Sequence, residues 1–84
     1  MNNKQRKTLQ AIFEEPTRSD IEWKAIEAML VAAGGEISEG SGSRVRIALK
    51  GVRAVFHRPH PRKEADKGAV KSMRRFLESA KVTP

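Results

Sequence analysis

The stretch 36-EISEGSGSRVRIALKGVRAVFH-57 decides the fold. Side chains alternate between the two faces of an extended strand. On that period Val45, Ile47 and Leu49 share one face, while Arg44, Arg46 and Lys50, with Ala48, share the other. Lys50-Gly51 marks a turn, after which Val52, Ala54 and Phe56 oppose Arg53, Val55 and His57. Before it, Glu36 to Glu39 reads as a short edge strand centred on Ile37, joined to the next strand through the permissive Gly40-Ser41-Gly42-Ser43. The pattern predicts a three-stranded antiparallel meander with one apolar and one basic face.

The flanks are helical. Trp23, Ile26, Met29, Leu30 and Ala33 recur at helical spacing, and Gly34-Gly35 supplies a left-handed stop. Ser19-Asp20-Ile21-Glu22 has the spacing of a capping box, which predicts Ser19 as N-cap. Trp23 sits on this apolar stripe and is expected in the core; a base-stacking platform is the alternative. Further upstream, Asn3 to Phe13 forms a short helix presenting Leu9, Ile12 and Phe13, stopped by Pro16. Downstream of the strands, Arg58 to Asp66 is a loop stiffened by Pro59 and Pro61. A last helix runs from Lys67 or Gly68 to Ala80, with Val70, Met73, Phe76 or Leu77, and Ala80 inward. Lys71, Arg74 and Arg75 fall on or beside its outer side. The fold class is α+β: a three-stranded antiparallel sheet with helices packed on one face.

With 84 residues, 38% of them hydrophobic, the chain makes one domain over 1–84, marginal enough that partner binding would stabilise it. No segment approaches the roughly 20 apolar residues of a membrane span, and the polar Met1 to Lys7 is not followed by a secretory-type apolar run. There is no cysteine, hence no disulfide and no thiolate metal site. A cytoplasmic location is the expectation. The net charge of +7 is distributed unevenly. Met1 to Glu39 holds 5 Lys/Arg against 7 Asp/Glu, whereas Gly40 to Pro84 holds 12 against 3. A one-sided basic half favours a polyanionic partner over a merely solubilising surface.

Taken together, Gly34-Gly35, the Gly40-to-Arg46 segment, His60-Pro61-Arg62-Lys63-Glu64 and the helix after Gly68 resemble the HicA toxin family, over about Trp23 to Val82. The resemblance implies a double-stranded-RNA-binding-domain-like α-β-β-β-α unit, here with an extra N-terminal helix: residues 1–18 as an extension and 19–84 as the core. It also implies a metal-independent endoribonuclease that cleaves mRNA and is neutralised by a HicB-like antitoxin. One departure stands out. The family typically carries its catalytic histidine directly after a Gly-Ser pair where the second strand begins, and here Gly42-Ser43 is followed by Arg44. A guanidinium stays protonated and cannot serve as a general base.

Metal-independent RNA cleavage needs a base for the 2′-hydroxyl, an acid for the leaving oxygen and cations for the phosphate. Histidine suits the proton transfers because its unperturbed pKa lies near about 6.5. The chain has two, His57 and His60. His57 ends the last strand on its basic face and is the first candidate; His60, between prolines, is the second. Arg44 and Arg46, with Arg53, would hold the phosphate, and Arg58, Arg62 and Lys63 extend the basic surface. In the plainer reading His57 bonds structurally at the strand end and His60 shapes a turn. His57, His60 and Glu64 do not reproduce the spacing of a helical zinc motif, so neither metal nor other cofactor is expected. The Gly40–Ser43 segment lacks the Gly-Lys-Ser/Thr ending of a phosphate-binding loop.

Base stacking is poorly provided for: there is no tyrosine, and Phe13, Trp23, Phe56 and Phe76 are mostly core candidates. Binding through phosphates and helix shape is what the composition permits. Three functions compete: a toxin ribonuclease with a protein antitoxin, a non-catalytic RNA-binding module on the same fold, and a partner-dependent domain whose basic face docks an acidic protein.

Overall fold

A computed structural model describes all residues, Met1–Pro84. The order is α1 (Asn3–Ile12), α2 (Trp23–Ala32), β1 (Glu36–Glu39), β2 (Arg44–Leu49), β3 (Val52–His57) and α3 (Lys67–Ser79). The sheet is an antiparallel meander in the order β1-β2-β3. It is open, with α2 against β1 and α3 against β3, while α1 packs on both α2 and α3. This is the expected α+β fold of double-stranded-RNA-binding-domain type, with a helix added in front.

The alternation read from the sequence is the alternation of burial. Val45, Ile47, Leu49 and Phe56 are buried under the helices, and Arg44, Arg46, Arg53 and His57 are exposed. Ile26, Met29 and Leu30 of α2, and Val70, Met73, Phe76 and Leu77 of α3, complete one core. Phe56 links the layers, with its ring centroid 5.9 Å from Trp23 and 5.8 Å from Phe76. Trp23 is therefore a core residue, 5% exposed, and offers no stacking platform. Leu9, Ala11 and Ile12 of α1 enter the same core.

The predicted cap at Ser19 is corrected. α2 begins at Trp23 with Glu22 in the N-cap position and no side-chain cap bond. Residues 21–23 are instead tied to the loop after β3: the Trp23 N–H donates to the Lys63 carbonyl and the Ala65 N–H to the Ile21 carbonyl, both at 2.9 Å. Main-chain pairing with a distant segment thus takes over the role a local hydroxyl would have filled. The reciprocal capping box lies elsewhere, at Asn2 and Gln5 of α1. The Gly34-Gly35 stop is as read. Gly34 sits at φ 94°, and the Gly35 and Gly34 N–H groups bond the Leu30 and Val31 carbonyls, the paired bonds of a Schellman ending.

Arg74, read as an outer residue of the last helix, turns inward. Its guanidinium donates to the carbonyls of Ile12 at 3.0 Å and Glu14 at 3.1 Å, fixing the α1–α2 connection to α3. Asp66 caps α3 by accepting from the Ala69 N–H at 2.7 Å.

Candidate nucleic-acid interface

The antiparallel register sets the geometry of the open face. Arg44 pairs with His57, Arg46 with Val55 and Ala48 with Arg53. These pairs lie outward, since the intervening pairs Val45–Phe56 and Ile47–Ala54 carry the core side chains. Lys50 and Gly51, at φ 49° and 82°, close β2 and β3 as a two-residue turn. That makes Leu49–Val52 a hydrogen-bonded pair and Arg44–His57 a non-hydrogen-bonded one. Side chains stand closest in such a pair, with Cβ atoms about 4.5–5.5 Å apart. A permanent cation therefore stands directly across from the one histidine on the sheet. Arg46 follows two residues along, and Arg53 completes a stripe of roughly 14 Å at the strand rise.

The stripe is open. No helix packs on this face, and the guanidinium groups of Arg44 and Arg53 make no hydrogen bond within the chain; that of Arg46 donates one, at 3.0 Å, to the Glu39 carbonyl. β1 contributes Ser38 and, at the far edge, Glu36 to the same surface. Arg44, Arg46, Arg53 and His57 are thus brought together as the strand period requires.

The loop residues are placed elsewhere. Arg58 grips Glu39 with two parallel bonds at 2.7 and 2.8 Å and reaches Glu27 of α2 at 3.0 Å. Trp23 Nε1–H donates to the same Glu27 carboxylate. Glu39, hydrogen-bonded by Arg58, is held below the ordinary carboxylate range. Arg58 is raised in turn, first by Glu39 and then by Glu27. These carboxylates occupy the Arg58 guanidinium, which braces α2, β1 and the start of the loop. Arg62 donates to the Ser19 carbonyl at 3.0 Å, while Lys63 and His60 are exposed. Lys24, Arg58, Arg62 and Lys63 line a groove of about 540 Å³ between this loop and the start of α2. The predicted site residues therefore divide into a sheet-face group and a loop group.

Arg75 adds a cation that was not singled out as a site residue. It lines a groove between β3 and α3 together with Arg53 and His57. Its exposed position beside inward-facing Phe76 is the only sequence signal for it.

The domain is an α+β sandwich of double-stranded-RNA-binding-domain type that leaves one cationic sheet face uncovered. A family model described as "HicA toxin of bacterial toxin-antitoxin" matches residues 23–82, from the first residue of α2 to the residue whose N–H closes α3. The chain belongs to the HicA toxin family, and with it comes the expectation of an antitoxin partner. Neither the curated proteins nor the solved structures give a significant match. No helix is long and apolar enough to cross a membrane.

Proposed function

We propose that this toxin is a metal-independent endoribonuclease that acts on mRNA in the cytoplasm, and that a HicB-like antitoxin neutralises it. The observation that carries this reading is the uncovered stripe of Arg44, Arg46, Arg53 and His57, with Arg44 directly across from His57. The arginines hold consecutive backbone phosphates as fixed charges. His57 takes the proton from a ribose 2′-hydroxyl whose oxygen attacks the neighbouring phosphorus. The P–O5′ bond breaks as the O2′–P bond forms, and the leaving O5′ takes a proton from water, giving a 2′,3′-cyclic phosphate and a 5′-hydroxyl, while His57 returns its proton to solvent. Arg44 stabilises the charge that accumulates on the phosphoryl oxygens. It thus takes an electrostatic part at the position where the family's histidine is missing, and the proton transfer moves across to the neighbouring strand. His60 is the second proton-transfer candidate, and Arg62 and Lys63 form an outlying phosphate contact. Arg58, saturated by Glu27 and Glu39, serves chiefly to position the loop. Residues 1–18 are an addition to the family unit of 19–84, and their helix packs against both α2 and α3.

Induced expression with RNA sequencing of cleaved ends tests the proposal. The wild type arrests growth and accumulates 5′-hydroxyl fragments, and His57→Gln does neither while still binding RNA. Binding without cleavage by the wild type would support the non-catalytic module instead, a reading favoured by Arg44 in the histidine's place.

A further inference from the structure

β3 is an edge strand, and the phase of its pairing determines which of its main-chain groups are spare. The Leu49–Val52 pair closes the two-residue turn, so hydrogen-bonded pairs recur at Ile47–Ala54 and Val45–Phe56. The bond from the Arg58 N–H to the Ser43 carbonyl continues that phase at the far end. Val52, Ala54 and Phe56 therefore direct their N–H and C=O groups at β2, and Arg53, Val55 and His57 direct theirs outward. No turn or loop hydrogen bond uses these outward groups. Alongside them Val55 is 58% exposed, a large apolar side chain between Arg53 and His57.

The surroundings of this edge differ above and below. On the open face lie the side chains of Arg53 and His57. On the helix side, a groove of about 530 Å³ runs between β3 and α3, walled by Ala54, Phe56, Ala69, Ser72 and Phe76, with Asp66 and Arg75 also lining it. A strand laid against β3 would send alternate side chains to these two sides. From this geometry we infer that the β3 edge is a docking site for an extended segment of a partner protein, added as a fourth strand. Acidic residues of that segment alternate with small apolar ones. The acids meet Arg53 and His57 across the strand pair, and the apolar side chains enter the groove. The source of the segment, the antitoxin, rests on the toxin reading; the docking chemistry does not. Such a strand would seal the edge and neutralise the end of the cationic stripe at once.

A second copy of this chain fits the edge poorly. Two β3 strands related by a two-fold axis near Val55 would set Arg53 of one copy against His57 of the other, and join cationic faces on chains of net charge +7 each.

The test uses the full chain, labelled with ¹⁵N, and a capped synthetic peptide of sequence Glu-Val-Glu-Ala-Glu-Val. The Arg53, Val55 and His57 amides are expected to shift and to exchange more slowly with solvent. The same peptide N-methylated at alternate residues should bind weaker by about tenfold or more, because it cannot complete the ladder. Val55→Pro removes one outward N–H without touching a bond to β2, a position where edge strands accept proline. It should lose the peptide by a similar factor yet bind RNA as the wild type does, which separates failure of this inference from failure of the ribonuclease reading. Equal affinity for the methylated peptide would overturn the inference, as would peptide-induced shifts confined to residues 58–63. So would a wild-type dimer that Val55→Pro dissociates, since the edge would then belong to a second copy.

Discussion

Replacing Arg44, Arg46 and Arg53 together by alanine removes three exposed guanidinium groups from one face and no buried contact. If each holds one phosphate, each releases counterions on binding, and the slope of log affinity against log salt falls by about 0.7–0.9 per contact. The triple variant should thus lose about 2–2.7 from the slope. Between about 50 and 200 mM salt, those contacts account for roughly a 20- to 40-fold loss of wild-type affinity that the variant no longer shows. Fluorescence anisotropy of a labelled RNA hairpin, in a His57→Gln background to prevent cleavage, measures both slopes. Lys4 and Lys7, exposed on α1, supply the control pair, whose replacement should leave the slope unchanged. A triple variant with the wild-type slope, or a control pair that lowers it as much, would refute phosphate contact through the sheet face.

Other consequences follow from the same contacts. Arg74→Ala leaves the Ile12 and Glu14 carbonyls without their donor and should cost about 2–3 kcal/mol, lowering the thermal midpoint by roughly 10–20 °C; a calorimetric shift below about 3 °C would contradict that role. Deleting residues 1–18 strips Leu9 and Ile12 from the core, and the remaining chain should lose cooperative thermal unfolding; an unchanged midpoint would make α1 dispensable. Glu39, held below the ordinary carboxylate range by Arg58, contributes stability that is present above its unfolded value near 4.5 and is lost as pH falls through its lower folded value. Glu39→Gln should therefore be less stable than the wild type at neutral pH and converge on it in acid, which urea midpoints across pH would reveal; parallel curves would contradict the assignment.

The period-two stretch from Arg44 to His57 was legible because a single register serves both faces: once Val45, Ile47 and Leu49 are buried, the arginines must face outward. The apolar stripes of α2 and α3 were legible for the same kind of reason. What escaped was every contact that depends on residues distant along the chain. The Ser19 cap failed because Ile21 and Trp23 pair with Lys63 and Ala65, a partner segment that no local pattern announces. Arg58 and Arg62 read as free cations because charge alone does not say which carboxylate or carbonyl lies across the fold. Arg74 turned inward because the α1–α2 connection passes over α3, and that path is a property of packing. The edge of β3 is an intermediate case, since its free groups follow from the turn at Lys50-Gly51, but the groove beside them needs the position of α3.

Side-chain and amide shift mapping of the His57→Gln protein with an RNA hairpin examines the proposed interface most directly. The expected result is perturbation of the Arg44, Arg46 and Arg53 guanidinium resonances and of the outward-facing positions of β2 and β3, with α1 silent. Perturbation confined to Lys24, Arg62, Lys63 and the groove they line, with those three arginines unmoved, would place RNA on the other side of the molecule and contradict the account.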